Sequence, residues 1–553
     1  MLSLSKSRRI DGPLALRLGL LLPLLCGLGR AQTPLWTLSG TTNERLASDA
    51  DGGFDVDGDG LPDVVAGSSN SSIAGTTFGT VRVLKGSTGA LIHIVHGAST
   101  GCGFGASVAL LGDINGDGRA EFAVGSPTDA VGGVNAGALY VYSGLDASLL
   151  YARQGAAGER LGTELSAAGD VDLDGIPDLL LGIPNAGGGA GRVELLSGAS
   201  WASILPAFVG ASGAELGRVI AAGGDIDGDG VPDFIFYRKL TSTTGQMALH
   251  SGRSGALIRT HGPAYYALSA CILGDLDQDG RDEYAYTRQT LTLGYIEAFD
   301  GASGATLFVR SVLPTDPIAL IAGLGDVNGD CIPDLGAMIL SQPSLSGAVV
   351  TATAFSGSDF AQLPAYVLPN SIHPLVAYSR AGDVDGDGYA EFVAASGQGV
   401  LSLPSPPGHL RVQDFGFSGT PPRIRNVGAA CPGSAGNLAL AAALGCPKLG
   451  QSLTLLCRNA LPGASTVLNL GAPTSVALSP FGLTGCWLSA TTDGFNLFLP
   501  ADGSGTASSG PLTVPVDPSA LGATLAVQFV CVDPSANAVG LVTSRGLELV
   551  IGS

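Results

Sequence analysis

Apolar residues occur along this chain in short runs separated by turns rich in Gly and Asp. The clearest unit contains GFGASVALLGD (Gly103–Asp113), EFAVGSP (Glu121–Pro127), GALYVYSG (Gly137–Gly144) and SLLYARQG (Ser148–Gly155). None of these runs has the 3.6-residue period of an amphipathic helix, and Gly-rich turns bound them. The pattern predicts four short β-strands per unit and an all-β fold.

The acidic segment between the first two runs occurs seven times. Each copy has an acidic or amide side chain at positions one, three, five and nine. The steps between first residues are 58, 57, 55, 50, 51 and 57 residues, and such regularity indicates a repeat architecture. The seven copies are DVDGDGLPD (Asp55–Asp63), DINGDGRAE (Asp113–Glu121), DVDLDGIPD (Asp170–Asp178), DIDGDGVPD (Asp225–Asp233), DLDQDGRDE (Asp275–Glu283), DVNGDCIPD (Asp326–Asp334) and DVDGDGYAE (Asp383–Glu391).

The repeat length suits one blade of a β-propeller, because four strands and their turns need about 40–50 residues. We therefore predict a seven-bladed β-propeller over residues 34–408. LWTLSG (Leu35–Gly40) precedes the first acidic loop and is predicted to complete the last blade, which removes an open sheet edge. EFVAAS and GVLSLPS are the other strand candidates of that blade before PSPPG (Pro404–Gly408), where we expect the propeller to end.

The spacing within each acidic loop predicts calcium binding. Ca²⁺ prefers roughly six to eight oxygen ligands, and a tight turn directs side chains one, three and five towards its centre. The carbonyl at position seven and the carboxylate at position nine complete the set, while position six needs a positive φ that Gly adopts readily. Positions one, three, five and nine of these loops hold 26 of the 47 acidic residues. Without a cation these carboxylates repel one another by about 1 kcal/mol per close pair in water.

We therefore predict up to seven structural Ca²⁺ ions. The predicted ligands, with position seven contributing its carbonyl, are Asp55, Asp57, Asp59, Leu61, Asp63, Asp113, Asn115, Asp117, Arg119, Glu121, Asp170, Asp172, Asp174, Ile176, Asp178, Asp225, Asp227, Asp229, Val231, Asp233, Asp275, Asp277, Asp279, Arg281, Glu283, Asp326, Asn328, Asp330, Ile332, Asp334, Asp383, Asp385, Asp387, Tyr389 and Glu391.

Polar turns and EF-hands both fit the acidic loops less well than this calcium loop. Ordinary polar turns would not keep one spacing through seven copies. EF-hands share the D-x-D-x-D-G start but need Glu at position twelve and flanking helices. Here the flanks are predicted strands and position twelve has no carboxylate, which excludes EF-hands. The residues at position twelve are Ala66, Val124, Leu181, Phe236, Tyr286, Ala337 and Ala394.

The sixth loop, GDVNGDCIPDLG (Gly325–Gly336), departs from the others. Cys331 stands at position six, where a non-Gly residue in the left-handed region costs about 1–2 kcal/mol. Asn328 replaces a carboxylate at position three, which lowers the charge available to a cation. We expect this site to be the weakest of the seven, and a disulfide at Cys331 is an alternative reason for the cysteine.

GFGASVALLGDINGDGRAEFAVGSP (Gly103–Pro127) resembles an FG-GAP repeat, the blade of the integrin α-subunit propeller. LGTELSAAGDVDLDGIPDLLLGIP (Leu161–Pro184) is a second match, and the resemblance covers about residues 35–408. It implies calcium loops between the first two strands of a blade, on the face opposite the usual ligand surface, where the ion has a structural role. Blades five to seven depart from the pattern because they lack a clear Phe-Gly pair. Integrins also usually carry calcium in only some blades, whereas every repeat here has a loop.

The N-terminus is typical of a secretory signal. Lys6, Arg8 and Arg9 form a basic region before the apolar run LGLLLPLLCGLG (Leu18–Gly29). Small residues stand at Gly29 and Ala31 before the predicted cut. The apolar run is shorter than the roughly 20 residues that a membrane-spanning helix needs. We assign residues 1–31 to a signal peptide and expect a secreted or cell-surface protein without a transmembrane segment after cleavage. A formal charge of −20 disfavours nucleic acid as a partner.

The chain changes character after PSPPG. Residues 409–428 are predicted to be a linker and residues 429–553 a small β-sandwich-like domain, because SLTLLCRN, STVLNLG and TLAVQFVCV are short strand candidates. The segments AACPGSAG, LPGASTVLNLG and LTGCWL resemble a C-terminal module of secreted planctomycete repeat proteins. Cys431 and Cys486 are the favoured disulfide pair, although spacing does not determine connectivity.

The sequence contains no H-E-x-x-H or phosphate-loop motif. His93 and His96 are three residues apart on a predicted strand and so face opposite sides, which suits a zinc pair poorly. We favour a secreted calcium-binding scaffold, without enzymatic activity, that binds an extracellular protein or glycan or acts in adhesion. The alternative is an extracellular enzyme acting on polysaccharide or lipid, because FG-GAP-type propellers also occur beside or within such enzymes.

Overall fold

The computed structural model describes part of the chain. It comprises residues 34–40, 46–69, 71–73, 76–241, 244–264, 267–290, 293–312, 319–344, 347–368, 375–396, 409–414, 423–427, 440–444, 447, 452–458, 460, 462–477, 487–490, 495–502, 506–514, 523–535, 541–544 and 546–551. The predicted signal peptide and the GVLSLPS segment lie outside these residues.

The first thirty strands form the repeat region, with one short helix, α1 (Ala186–Gly189), among them. The strands are β1 (Pro34–Ser39), β2 (Asp49–Phe54), β3 (Asp63–Ser68), β4 (Ser72–Ile73), β5 (Thr76–Thr77), β6 (Thr80–Leu84), β7 (Leu91–His96), β8 (Ser107–Gly112), β9 (Glu121–Ser126), β10 (Ala138–Tyr142), β11 (Leu149–Gln154), β12 (Glu164–Gly169), β13 (Asp178–Ile183), β14 (Arg192–Leu196), β15 (Phe208–Val209), β16 (Ile220–Gly224), β17 (Asp233–Lys239), β18 (Gly245–His250), β19 (Leu257–Ala264), β20 (Ala270–Gly274), β21 (Glu283–Gln289), β22 (Gly294–Phe299), β23 (Thr306–Val312), β24 (Ala319–Gly325), β25 (Asp334–Ser344), β26 (Gly347–Phe355), β27 (Tyr366–Leu368), β28 (Leu375–Gly382), β29 (Glu391–Ser396) and β30 (His409–Gln413).

Apart from β4 and β5, which pair with each other, these strands build seven four-stranded antiparallel sheets arranged as the blades of a propeller. Blades 1 to 6 are β2-β3-β6-β7, β8-β9-β10-β11, β12-β13-β14-β15, β16-β17-β18-β19, β20-β21-β22-β23 and β24-β25-β26-β27. The first strand of each blade contacts the first strands of both neighbours, from β2 through β28 and back to β2. The ring is therefore closed, and the predicted seven-bladed propeller is confirmed.

Blade 7 joins two distant parts of the chain. Its order is β28-β29-β30-β1, and β1 pairs with β30 from Pro34 opposite Gln413 to Ser39 opposite His409. The predicted completion of the last blade by the N-terminal strand is thus confirmed. The third strand of this blade is β30, so the sheet includes residues that the sequence analysis assigned to the linker after Gly408.

Glycine pairs explain the close approach of blades 1 to 4. A Cβ on Gly67 of β3 would overlap the carbonyl of Gly105, which precedes β8 in the next blade. The same contact joins Gly125 to Gly162 and Gly182 to Gly217. The two glycines of the repeat motif therefore meet across blade boundaries, which accounts for their place in the sequence.

The connection between the third and fourth strands of a blade, here called the outer turn, is contacted by the preceding blade. The His93 Nε2 atom of blade 1 lies 2.6 Å from the carbonyl oxygen of Gly144 in the outer turn of blade 2. Tyr151 of blade 2 stacks on Trp201 of blade 3, with ring centroids 4.6 Å apart. Arg259 of blade 4 donates to carbonyl oxygens in the outer turn of blade 5. Neighbouring blades are thus tied at their rims as well as at the centre.

The C-terminal region also consists of strands in the residues described. They are β31 (Arg423–Val427), β32 (Leu440–Leu444), β33 (Ser452–Arg458), β34 (Ser465–Gly471), β35 (Pro473–Ala477), β36 (Trp487–Ala490), β37 (Phe495–Pro500), β38 (Ala507–Thr513), β39 (Thr524–Val532), β40 (Leu541–Thr543) and β41 (Gly546–Val550). One sheet has the order β31-β41-β39-β34-β37 with β40 beside β39, a second is β32-β33-β38, and a third is β35-β36.

A shared core joins the two larger C-terminal sheets. Leu455 and Cys457 of β33 belong to one buried cluster with Leu468 of β34 and Phe529 and Cys531 of β39. Residues from both sheets thus face one interior, as in the predicted sandwich. The Sγ atoms of Cys457 and Cys531 lie 3.6 Å apart in this core. The favoured pair Cys431 and Cys486 lies outside the described residues, so that pairing stays a prediction.

Candidate metal centres

The seven acidic loops, numbered 1 to 7 by blade, each join the first strand of a blade to the second. Loop 1, for example, runs from the end of β2 to Asp63 at the start of β3. In at least four loops the structure brings ligand oxygens of three carboxylates within 4.8 Å of one another. These groups are Asp55, Asp57 and Asp63; Asp170, Asp172 and Asp178; Asp225, Asp227 and Asp229; and Asp275, Asp277 and Asp279.

Positions four and six of every loop have a positive φ. Position six was expected to, and Cys331 has a φ of 62° in the left-handed region. The positive φ at position four was not predicted, because this position is not always Gly. Leu173 and Gln278 occupy it in loops 3 and 5, with φ values of 61° and 63°. Both residues accept a conformation that costs about 1–2 kcal/mol for a side chain larger than Gly. The shape of the loop is therefore kept even where its sequence departs from glycine.

Backbone amides organise the carboxylates at positions one, three and five. In loop 1, the Asp55 carboxylate accepts from the N–H groups of Gly58 and Gly60 at 2.6 and 2.7 Å. The Asp57 Oδ1 accepts from the N–H of Asp59, and the Asp59 Oδ1 from that of Leu61. One oxygen of each of these last two side chains is thus engaged, and its Oδ2 is left for another partner.

Buried oxygens without a donor test whether these loops fit a cation. The Oδ1 atoms of Asp170 and Asp275 and the Oε1 atom of Glu391 are buried and accept no hydrogen bond from any described residue. A buried acceptor without a partner costs free energy, and a cation would supply the missing contact. Hard carboxylate and carbonyl oxygens are also the ligands that Ca²⁺ prefers. The residues present therefore fit a hard divalent cation.

The carboxylate at position nine links its loop to the outer turn. Asp63 is fully buried, and its Oδ2 accepts from the N–H groups of Val56 and Asp57. Its Oδ1 accepts from the N–H of Gly86 at 3.0 Å. A Cβ on Gly86 would overlap the Pro62 carbonyl, so only Gly lets the turn approach. The same pairing occurs between Asp178 and Gly198, Asp233 and Gly252, Glu283 and Gly301, and Asp334 and Gly357.

Burial raises the pKa of the carboxyl group at position nine, because the charged form loses hydration. Carboxylates of the same loop raise the pKa further, while backbone donors lower it in part. The raised pKa values are about 7 for Glu121, Asp178, Asp233 and Glu283, about 8 for Asp334 and about 10 for Glu391. Without a cation a large fraction of these buried carboxyl groups is therefore protonated near neutral pH.

We expect the calcium-free protein to be more stable at about pH 5 than at about pH 8. The folded state retains protons that the unfolded carboxyl groups release near pH 4, so stability is lost as pH rises through the folded pKa values near 7 to 8. Urea midpoints measured in chelator across this range test the sign. A midpoint that rises with pH would contradict it.

Calcium binding should remove most of this dependence of stability on pH. The remaining dependence should come from carboxyl groups on the first strands of the blades, at the centre of the ring. Burial raises the pKa of Asp49 on β2 to about 7 and that of Glu164 on β12 to about 8. Neither residue belongs to a loop, so calcium does not neutralise it. The Glu164→Gln variant should therefore flatten the slope that persists in calcium while leaving the calcium-dependent part unchanged.

One side chain near the loops was missed by the sequence analysis. Asp300 begins the outer turn of blade 5, and a carboxylate oxygen of it lies within 4.8 Å of ligand atoms of Asp277 and Glu283. The signal was present, since the turn sequences repeat with Ser, Lys or Asp at this position. Its relation to the acidic loop, about twenty residues earlier, depends on the fold.

Loop 6 differs from the others in its contacts. The Asp330 Oδ2 accepts from the hydroxyls of Ser356 and Ser358, each at 3.1 Å. Asn328 donates to the Ser356 hydroxyl at 3.2 Å. Cys331 takes part in a disulfide bond, as the sequence analysis allowed. That this loop is the weakest cation site stays a prediction.

His93 and His96 were predicted to face opposite sides of a strand and so to suit a zinc pair poorly. In the structure the two side chains contact different groups. His93 faces the carbonyl of Gly144, whereas His96 Nδ1 lies 3.2 Å from the Thr80 hydroxyl.

Among the described residues, no helix has the length and apolar character needed to cross a membrane.

Known proteins share the repeat and part of the sequence. Residues 104–142 and 161–196 match the FG-GAP repeat. Integrin alpha-PS5 of Drosophila melanogaster is 30% identical over 185 residues, which cover 31% of this chain and 18% of that protein. Integrin alpha pat-2 of Caenorhabditis briggsae is 29% identical over 210 residues, covering 32% of this chain and 17% of that protein. Integrin alpha-3 of Mus musculus is 39% identical over 98 residues, covering 16% and 9%.

The chain therefore matches less than a fifth of the length of these integrins. Among solved structures, BBS1N in complex with ARL6DN, soaked with mercury, has a TM-score of 0.43 and 11% sequence identity to this chain. That similarity covers 70% of this chain and 97% of the other.

Proposed function

Because this chain forms an FG-GAP propeller similar to that of integrin α subunits, we propose that it is an exported scaffold, stabilised by calcium, that binds an extracellular protein or glycan. The observation that carries the proposal is the repeated pairing of an acidic loop with the outer turn of its own blade. Positions one, three, five and nine and the carbonyl of position seven would hold the ion. A bound ion would neutralise carboxylates that otherwise repel one another on this face of the ring.

A cation on the loop face fits a binding role for the opposite face, where the second and third strands of each blade connect. In blade 2 this connection is held by Asp129, which is buried and accepts from the N–H of Val131 and the hydroxyl of Tyr140. Val131 and Val134 on the same connection are 63% and 77% exposed. Apolar side chains on a rigid exposed loop are suited to contact a partner.

The ligand-binding proposal is tested with the full-length protein immobilised in calcium. Glycan arrays and labelled proteins from an outer cell surface serve as probes, and the Val131→Ser/Val134→Ser double variant tests the blade 2 connection. We expect saturable binding that chelator abolishes and that the double variant weakens at least about tenfold. A double variant of Leu91 and Leu149, which are exposed on outer strands, is the matched control.

Two results would count against this function. Saturable binding that is equal in wild type and the Val131/Val134 variant would remove the role of this connection. Turnover of a polysaccharide or lipid substrate by the purified protein would instead favour an extracellular enzyme.

A further inference from the structure

Lys85 is the first residue of the outer turn of blade 1 and points at acidic loop 1. Its Nζ lies 3.0 Å from the Asp57 Oδ2 and also contacts the Asp59 Oδ2. All three side chains are less than a third exposed. The ammonium therefore bridges positions three and five of the loop.

The oxygens that Lys85 contacts are those that the backbone leaves available. The Oδ1 atoms of Asp57 and Asp59 accept from N–H groups inside the loop. Their Oδ2 atoms would face a cation at the loop centre, and both instead face the ammonium. Lys85 and a metal ion thus compete for the same pair of ligand atoms.

Other blades have a different side chain at this place. The corresponding residues are Ser143, Ser197, Ser251, Asp300, Ser356 and Asp414. In blade 6, the Ser356 hydroxyl donates to the Asp330 Oδ2, a neutral contact with the equivalent oxygen. In blade 4, Arg253 contacts Asp229 but no second carboxylate of its loop among the salt bridges of the described residues. Among the salt bridges of the described residues, a side-chain cation that bridges two positions of one acidic loop therefore occurs in blade 1.

We propose that the Lys85 ammonium takes the place of calcium in loop 1, so that this blade is held by a cation of the chain itself. Calcium binding there would require Lys85 to leave both carboxylates, which weakens the site. The protein would then bind one Ca²⁺ ion fewer than the number of acidic loops that have all the predicted ligands. This inference rests on the proposed calcium binding by the other loops.

The test compares calcium stoichiometry in wild type, Lys85→Ser and Ser197→Lys. Serine is the residue of four other blades, and Ser197→Lys places an ammonium at the equivalent position of blade 3. Full-length proteins are dialysed against calcium at about ten times the dissociation constant of the wild-type calcium sites. The bound metal is then measured by atomic emission. Circular dichroism confirms that each variant is folded. We expect one additional ion per chain in Lys85→Ser and one fewer in Ser197→Lys.

The outcomes separate this inference from the wider calcium proposal. Equal stoichiometry in wild type and Lys85→Ser, with at least one ion bound, overturns the assignment of Lys85 and leaves calcium binding in place. One ion in Lys85→Ser and none in wild type supports the assignment while overturning calcium binding by the other loops. No ion in any of the three proteins overturns both. If Lys85→Ser does not fold, Lys85→Gln replaces it, with the same gain expected.

Discussion

Removing calcium is expected to lower the midpoint of thermal unfolding of the propeller by more than about 10 °C. Each site occupied at ten times its dissociation constant adds about 1.4 kcal/mol to the native state by mass action. Six such sites add about 8 kcal/mol, which is comparable to the whole stability of many domains. The measurement is differential scanning calorimetry of the full chain in excess calcium and in chelator at equal ionic strength.

The size of this effect follows from the position of the loops within the blades. In loops 1, 3, 4, 5 and 6 the position-nine carboxylate is hydrogen-bonded both to its own loop and to the outer turn, so loss of the cation weakens two hairpins together. A chain with Asp172→Asn and Asp174→Asn should lose part of the calcium-dependent shift. The Asp57→Asn variant should lose little of it, because Lys85 already contacts Asp57. Identical midpoints in calcium and chelator would contradict the structural role of the ion.

Replacing Trp36 with Ala is expected to destabilise the propeller by about 3–5 kcal/mol, the usual range for removal of a large buried aromatic side chain. Trp36 lies on β1, is 9% exposed, and donates its Nε1–H to the Gly86 carbonyl oxygen at 2.6 Å. Its ring also faces Gly89, where a Cβ would be too close. The side chain therefore fastens blade 7 to the outer turn of blade 1.

Trp36→Phe is the matched control, since it keeps an aromatic ring and loses the hydrogen bond. We expect it to cost about 1 kcal/mol from that bond, plus a smaller packing loss. Urea unfolding gives both values, and limited proteolysis near residue 40 reports whether β1 leaves the sheet. Equal stability of Trp36→Ala and wild type would mean that β1 closes the ring without this anchor.

The sequence was sufficient to predict the blades and the acidic loops, because both depend on local spacing. The completion of blade 7 by β1 followed from counting strands. The strand that β1 pairs with was missed, although Leu410 and Val412 of β30 alternate with polar residues and are fully buried. The preceding PSPPG segment was interpreted as the end of the propeller, so this short alternating pattern was not assigned to a blade. In the structure the strand is defined by its pairing with β29 and β1.

The contacts made by the loops were harder to predict than the loops themselves. The pairing of Asp63 with Gly86 and the bridge from Lys85 to Asp57 join residues more than twenty positions apart. No periodic pattern brings such residues together, and only the antiparallel order of the four strands does so. Leu173 and Gln278 show a second limit, because a side chain held at positive φ by its surroundings is not visible in residue preferences.

The composition of blade 7 has a consequence for how the ring folds. Blades 1 to 6 each use one continuous segment, so their sheets close loops of at most about sixty residues. Blade 7 must bring Pro34 to Gln413, and a loop about six times longer costs about 1.6 kcal/mol more in chain entropy. High contact order of this kind slows folding, so the ring should close last. A rearranged chain in which residues 34–39 are moved to follow Asp414 would make every blade local. It should refold faster than the chain with the natural order.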